Sequence, residues 1–234
     1  MMKEYDTPRL SQSNRVNPFD FITRIVPSSF FLYVVFLKVV DLYVFLNHPP
    51  VGNNTEFLRF IADIVSKSSI ICFLGLMSIL FLIRLEPIEK ARGIMPRVMA
   101  IAGTFSVSLL TFFPRANLTI GQTAIATSMC LVGTAMSIFV LAHLGRSYSL
   151  MAEARRLVTT GPYGIIRHPL YVTEELALFA ILIQFLSFST VLMFLVHALI
   201  QLQRMKNEEA VLEKAFPEYQ AYKSSTARLI PRVY

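Results

Sequence analysis

Two long, mainly apolar blocks, residues 28–47 and 119–145, constrain the fold of this chain more than any other feature of its sequence. Each block is near or above the roughly 20 residues that an α-helix needs to cross about 30 Å of hydrocarbon. A membrane β-barrel would instead show segments of about 10 residues with alternating hydrophobicity. Because 54% of the residues are hydrophobic and only 16% are charged, a water-soluble domain and a disordered chain are both excluded. The sequence therefore predicts an all-α, polytopic membrane helical bundle.

The apolar blocks predict about six transmembrane helices, and a five-helix alternative stays open. The fifth and sixth are the hardest to separate, because Glu174 and Glu175 lie inside the fifth and only residues 187–189 offer a turn. The six predicted spans are 28–47, 68–85, 97–114, 119–144, 169–186 and 189–205. These spans divide the chain into an N-terminal segment 1–27, a four-helix region 28–144, and a region 145–234 with two further spans and a C-terminal helix.

Lysine and arginine are distributed unevenly between the two sides of the predicted bundle. Eighteen of the 22 basic residues fall at the chain ends or in the loops after the second and fourth spans. Such residues concentrate in short cytoplasmic loops, so both termini are predicted to be cytoplasmic. The net charge of +7 follows from this bias and from attraction to lipid headgroups, and it requires no nucleic-acid partner. Cys72 and Cys130 fall within spans and lack metal-ligand spacing, so no metal site is predicted.

Charged residues inside the predicted spans are costly and are expected either to pair or to face a polar cavity. Lys38 and Asp41 are three residues apart in the first span, so they are predicted to share a helix face and to neutralise each other. Glu174 and Glu175 are adjacent and cannot both face one side of a helix. At least one of these two carboxylates is therefore expected near the interface or in a polar cavity.

Two polar stretches flank the last two spans. The first contains Leu-Val-Thr-Thr-Gly-Pro-Tyr at 157–163 and Arg-His-Pro-Leu-Tyr at 167–171. Pro169 suits the first position of a helix, which would place Arg167 and His168 at the positive end of its dipole and favour an anion there. In the second stretch, Arg204 and Glu208 are four residues apart on one helix face. This order, with the basic residue first, stabilises an isolated helix less than the reverse order does.

Taken together, the two stretches resemble the C-terminal signature of the isoprenylcysteine carboxyl methyltransferase and phospholipid methyltransferase superfamily of integral membrane enzymes. The resemblance covers about residues 144–231 and consists of several elements in order. These are Leu-Val-x-x-Gly-Pro-Tyr, Arg-His-Pro-x-Tyr, an Arg followed after three residues by Glu-Glu, and Phe-x-x-Tyr-x-x-Tyr at 216–222. The resemblance implies a methyltransferase that uses S-adenosylmethionine, held on the cytoplasmic side by the loop after the fourth span and by the C-terminal helix.

The resemblance also implies roles for individual residues. Arg204 would be the catalytic residue that contacts the acceptor near its reacting group. Apart from the resemblance, Glu174 is predicted to contribute to acceptor binding as a carboxylate within the fifth span. The implied cofactor-binding residues are Arg155, Arg156, Leu157, Val158, Tyr163, His168, Pro169, Leu170, Tyr171 and Glu208. Their chemistry fits this role, since the cofactor needs a carboxylate for its ribose hydroxyls, apolar walls and a donor for its own carboxylate.

The resemblance does not determine which methyl acceptor the protein would use. The implied partner is a lipid-like or prenylated small molecule or protein in the membrane, and the carboxylate of an isoprenylcysteine-type substrate would be oriented by Arg204. A phospholipid amine would instead need a base, for which Glu209, Glu174 and Glu175 are candidates. Thr173 stands where prenylcysteine enzymes commonly have Gly, and Pro217 replaces a Gly often found after the Phe of the C-terminal helix. A related membrane reductase and a non-catalytic membrane protein are the alternatives to a methyltransferase.

Overall fold

The computed structural model describes residues 18–50, 54–114 and 116–231 of the chain. These residues form a helical bundle, as the sequence predicts. The helices are α1 (Pro18–Leu46), α2 (Asn54–Ile83), α3 (Met95–Phe105), α4 (Ile120–Leu144), α5 (Pro169–Gln184), α6 (Phe188–Ala215) and α7 (Tyr219–Ser225). Short 3-10 helices at Ser106–Phe112, Gly145–Ser147 and Gly161–Gly164, and an antiparallel pair of strands, β1 (Glu89–Lys90) and β2 (Glu153–Ala154), lie between them.

Four helices of the described chain, α1, α2, α4 and α6, are long and apolar enough to cross a membrane. The third and fifth predicted spans are also helical but shorter. Helix α3 has 11 residues and continues into the 3-10 segment Ser106–Phe112, and α5 has 16 residues. The membrane bundle is therefore confirmed, with four of its helices reaching the length of a full crossing.

The helix starts follow local capping signals in the sequence. Pro169 is the first residue of α5, where its missing N–H costs nothing. Helix α6 begins after a reciprocal cap, in which the Ser187 hydroxyl accepts from the Thr190 N–H and the Thr190 side chain accepts from the Ser187 N–H. This cap provides the turn that separates the fifth and sixth predicted spans.

Helices α4 and α5 pack closely because one residue of each is small. A Cβ built on Gly133 would lie 2.7 Å from the backbone nitrogen of Ala177, so only Gly permits this approach. Nearby, the Ser137 hydroxyl donates to Thr173 Oγ1 at 2.9 Å, and the Thr173 hydroxyl donates to the Leu170 carbonyl. Thr173, which stands where prenylcysteine enzymes commonly have Gly, therefore forms a buried contact between these helices.

The direct ion pair of Asp41 is not the one predicted with Lys38, although Lys38 remains close enough to act on Asp41 electrostatically. Helix α2 begins at Asn54 rather than near residue 68, so Lys67 lies within the helix and opposite α1. Lys67 forms the ion pair with Asp41, and its ammonium lies 5.1 Å from the centre of the Phe45 ring. The added turns of α2 contact α1 where the Phe60 and Phe45 rings stack, with their centres 4.8 Å apart. Several basic residues used to predict orientation, namely Lys3, Arg9, Arg15, Arg115 and Arg232, lie outside the described residues.

The loops after α2 and α4 and the C-terminal segment gather at one end of the bundle. Strand β1 follows α2 and pairs with β2, which follows α4. The C-terminal segment joins them, since the N–H of Arg167 donates to the Ala227 carbonyl at 2.8 Å and that of His168 donates to the Arg228 carbonyl at 3.1 Å. Polar segments that are distant in the sequence thus close this end of the bundle.

Candidate active site

A cavity of about 600 Å³ lies among the helices and reaches the end of the bundle where the polar loops gather. One part is polar and is formed by the loop after α4, the start of α5 and the second half of α6. The other part is mostly apolar and is formed by side chains of α1 and α2, among them Phe30, Phe31, Phe73 and Leu74, with Lys38 also in its lining. The cavity can therefore accommodate a polar molecule and an apolar chain next to each other.

Nine of the ten predicted cofactor-binding residues line this cavity, as do Arg204 and Glu174. Pro169 does not line it; this residue is buried at the first position of α5 and sets the start of that helix. The nine residues are Arg155, Arg156, Leu157, Val158, Tyr163, His168, Leu170, Tyr171 and Glu208. They come from three parts of the chain that the fold brings together, namely helix α5, helix α6 and the loop that follows α4.

Glu208 presents a carboxylate to the cavity. Its Oε1 accepts a short hydrogen bond from the Tyr171 hydroxyl, and its Oε2 lies 3.9 Å from His168 Nδ1. The rings of His168 and Tyr171 meet edge to face with their centres 5.5 Å apart, which holds both near the carboxylate. The Glu208 side chain is 26% exposed, so it remains accessible from the cavity. This arrangement suits a carboxylate that accepts hydrogen bonds from a ligand.

Arg204 does not pair with Glu208, although the two are four residues apart on α6. Its Nη1 donates to Gln201 Oε1 at 2.7 Å, and its Nη2 lies 3.4 Å from the Leu150 carbonyl oxygen. The guanidinium lies over the Tyr171 ring, 5.3 Å from the ring centre. Its Nε is buried without a hydrogen-bond partner among the described residues. Arg204 is thus a buried cation with donor capacity left for a ligand.

Glu209 is a structural carboxylate rather than a base facing the cavity. Its oxygens accept from Arg167 Nε at 3.0 Å, from His168 Nε2 at 3.1 Å, and from Arg228 at 3.0 and 2.7 Å. The side chain is 4% exposed and does not line the cavity. The anion predicted at the start of α5 is therefore, in this structure, the carboxylate of the chain's own Glu209.

The adjacent Glu174 and Glu175 point to different places, as their spacing requires. Glu174 lines the cavity on the same face of α5 as Leu178. Glu175 Oε1 lies 2.9 Å from Nε2 of His197, which is buried and whose Nδ1 lies 2.8 Å from the Ser106 hydroxyl. Of the two carboxylates, Glu174 can therefore meet a ligand directly.

His197 and Gln201 also line the cavity and were missed by the sequence analysis. They precede Arg204 by seven and three residues, so they lie on the same face of α6. This helical spacing is the signal that could have identified them.

The C-terminal helix is tied to the loop after α4 by tyrosines. The Tyr222 hydroxyl donates to the Tyr163 carbonyl at 2.6 Å. Burial raises the pKa of Tyr222 to about 12, so the phenol keeps its proton and can donate this hydrogen bond into the alkaline range. Burial also raises the pKa of Tyr163 well above its usual range, which leaves this cavity wall uncharged.

The fold and the cavity define a helical membrane protein with a site that joins a polar pocket to an apolar one. Residues 125–214 match the model of the isoprenylcysteine carboxyl methyltransferase (ICMT) family. The resemblance to this superfamily, expected from the two polar stretches, is confirmed over that region. The region contains most of α4, all of α5 and nearly all of α6, and with them Arg204 and Glu208.

Two curated relatives are named for metal resistance. The chain is 35% identical over 98 residues to the cobalt-zinc-cadmium resistance protein CzcN of Cupriavidus metallidurans, which covers 40% of this chain and 45% of CzcN. It is 29% identical over 112 residues to the nickel-cobalt-cadmium resistance protein NccN of Alcaligenes xylosoxydans xylosoxydans, which covers 45% of this chain and 52% of NccN. The chain therefore spans about half the length of these relatives. Within its described residues, no group of three or more His, Cys, Asp or Glu side chains is placed to hold a metal ion.

Proposed function

We propose that this protein is an S-adenosylmethionine-dependent methyltransferase that acts on a membrane-embedded or lipidated acceptor. The observation that carries the proposal is that one cavity is lined by Glu208 and Arg204 and also by apolar side chains of α1 and α2. The family match over residues 125–214 supports it, because that region supplies most of the polar pocket. A polar methyl donor and an apolar acceptor would share this space.

The residues of the polar pocket fit the donor. Glu208 would accept hydrogen bonds from ribose hydroxyls, and Leu157, Val158 and Tyr163 would form apolar walls for the adenine ring. His168 would face the polar groups of the amino-acid portion. When bound, S-adenosylmethionine supplies a methyl group on a positively charged sulfur, which an acceptor can attack without a covalent enzyme intermediate. The protein's contribution is then mainly to orient the reactants, which can lower the barrier by roughly 7–11 kcal/mol.

The first candidate acceptor is the carboxylate of an isoprenylcysteine-type substrate. A carboxylate is already a nucleophile and needs no base. Arg204 would hold it through the planar donors of its guanidinium. The isoprenoid chain would lie against the aromatic and aliphatic side chains of α1 and α2.

A phospholipid amine is the second candidate, and the position of Glu174 favours it. This carboxylate lines the acceptor side of the cavity and has no hydrogen bond or ion pair among the described residues. It could take the proton that an amine must lose, while Arg204 would contact the adjoining phosphate. Methyl transfer from labelled S-adenosylmethionine to prenylated thiol carboxylates and to phospholipid amines, measured side by side in proteoliposomes, distinguishes the two candidates.

Glu208→Gln is expected to weaken binding of S-adenosylmethionine by roughly 10- to 150-fold, because the loss of a charge-assisted hydrogen bond costs about 1.5–3 kcal/mol. Equilibrium binding of the radiolabelled cofactor to purified protein measures the effect. Glu213→Gln, one turn further along α6 at an ion pair with Lys223, is the matched control and should bind normally. Wild-type protein that fails to bind the cofactor would contradict the proposed function, and unchanged affinity in a folded Glu208→Gln variant would contradict the role of Glu208.

We further propose that the end of the bundle where the loops gather faces the cytoplasm, as the distribution of basic residues predicts. Thr160 and Ser225 are exposed residues of the loop after α4 and of α7. In a background with Cys72 and Cys130 replaced by Ser, single cysteines at these positions should react with an impermeant thiol reagent from the cytoplasmic side alone. Labelling of the two positions from opposite sides would contradict this orientation.

A further inference from the structure

Helix α3 lies outside residues 125–214, yet it forms part of the site through Gly103. A Cβ built on Gly103 would lie 2.7 Å from Arg204 Cδ, 2.9 Å from Gln201 Oε1 and 3.0 Å from Arg204 Nη1. The first two distances are shorter than carbon and oxygen atoms tolerate without a shift. Any side chain at this position would therefore displace Arg204 or Gln201 from where they lie.

Arg204 is held in this position by contacts that use only some of the five N–H donors of its guanidinium. Gln201 accepts from Nη1 at 2.7 Å, and the Tyr171 ring lies against the face of the guanidinium. The side chain is 9% exposed, and its buried Nε has no hydrogen-bond partner among the described residues. The guanidinium lines the cavity and has more N–H donors than these contacts use, so it can donate to a ligand there.

We propose that Gly103 and Gln201 are positioning residues, which hold the guanidinium of Arg204 in a fixed orientation in the lining of the cavity, where the acceptor would bind. An arginine side chain has several rotatable bonds, and it acts on a reacting group only if its orientation is restricted. Gln201 supplies a directional hydrogen bond, and Gly103 supplies the space that allows it. A helix outside the family match thus determines the geometry at the acceptor. The role assigned to Arg204 here rests on the proposed function.

Two other helix glycines provide matched controls. A Cβ on Gly75 of α2 would meet nothing within 4 Å, so Gly75→Ala makes the same substitution in a helix without a steric clash. A Cβ on Gly133 of α4 would strike the backbone of Ala177, so Gly133→Ala should disturb helix packing. Gly103→Ala differs from both, because its neighbours are the ends of two flexible side chains.

The first measurement requires neither cofactor nor acceptor. Modification of Arg204 by phenylglyoxal, followed by mass spectrometry of purified protein, reports how firmly the guanidinium is held. We expect faster modification in Gly103→Ala, where the side chain is displaced into the cavity. We also expect it in Gln201→Met, where a side chain of similar length offers no strong acceptor. Gly75→Ala should match the wild type, and the melting temperature of Gly103→Ala should stay close to that of Gly75→Ala.

The second measurement is turnover. Since misplacement of a catalytic group by about 1 Å can cost roughly 100-fold, kcat should fall by about 10- to 100-fold in Gly103→Ala and Gln201→Met, with the KM for S-adenosylmethionine nearly unchanged. Wild-type rates of modification in both variants would overturn the proposal, as would a parallel loss of stability and cofactor affinity in Gln201→Met. If Gly103→Ala fails to fold, as expected of Gly133→Ala, Gln201→Met decides the question. Absence of turnover in the wild type would contradict the proposed function, and the modification rates would then still test the positioning.

Discussion

Glu209→Gln is expected to lower the free energy of unfolding by about 3–5 kcal/mol, the typical cost of removing one partner from a buried ion pair. Glu209 is 4% exposed and accepts hydrogen bonds from Arg167, His168 and Arg228. A neutral amide would leave the two guanidinium groups without their counter-charge. It would also loosen the C-terminal segment, which Arg228 and Arg167 connect to the start of α5.

Thermal unfolding in detergent measures this effect, and the midpoint should fall by roughly 6–20 °C for a protein of this size. Glu213→Gln is the control on the same helix, because its ion pair with Lys223 is partly exposed, and solvent-accessible pairs contribute about 0–1 kcal/mol. Equal midpoints for the two variants would show that the buried cluster does not stabilise the fold.

Arg204→Lys is expected to reduce turnover by about 100-fold, because a lysine offers a mobile point charge in place of an oriented planar group. A lysine cannot maintain the hydrogen bond to Gln201, the contact with the Tyr171 ring and a further donor at the same time. The affinity for S-adenosylmethionine should stay near that of the wild type, since Arg204 does not pair with Glu208, the residue proposed to hold the ribose.

Calorimetric titration of the cofactor and steady-state rates with the acceptor separate these two effects. Lys206→Ala removes an exposed cation two residues further along α6 and should leave both quantities unchanged. If Arg204→Lys lost cofactor affinity and melting temperature together, Arg204 would be a structural residue and its role at the acceptor would be wrong.

Features encoded by neighbouring residues were predictable. The start of α5 follows from Pro169, and the turn before α6 follows from the cap formed by Ser187 and Thr190. Because a cap or a helix-initiating proline acts over one turn, a short stretch of sequence contains the whole signal. The polar stretches that resemble the family are likewise continuous segments.

Features that depend on packing between distant residues were not predictable. Asp41 pairs with Lys67 rather than Lys38, because α2 begins 14 residues earlier than its apolar block. Many residues of the added turns are charged or polar, so hydropathy does not report this extension. His197 and Gln201 were missed for a related reason. A polar residue within a span can be assigned to a site only when the structure shows that it lines a cavity.

The sequence by itself determined that this protein is a helical membrane bundle with a methyltransferase-like C-terminal region, because long apolar runs and continuous motifs are local properties. Only the tertiary structure decided what its charged groups do. Glu208 and Glu209 are adjacent and chemically identical, but one turns to the cavity and the other to a buried cluster, since successive helix residues point about 100° apart. Arg204 is likewise turned from Glu208 toward Gln201 by space that Gly103 leaves on another helix. Such assignments depend on which surfaces meet when the helices pack, and no single segment contains that information.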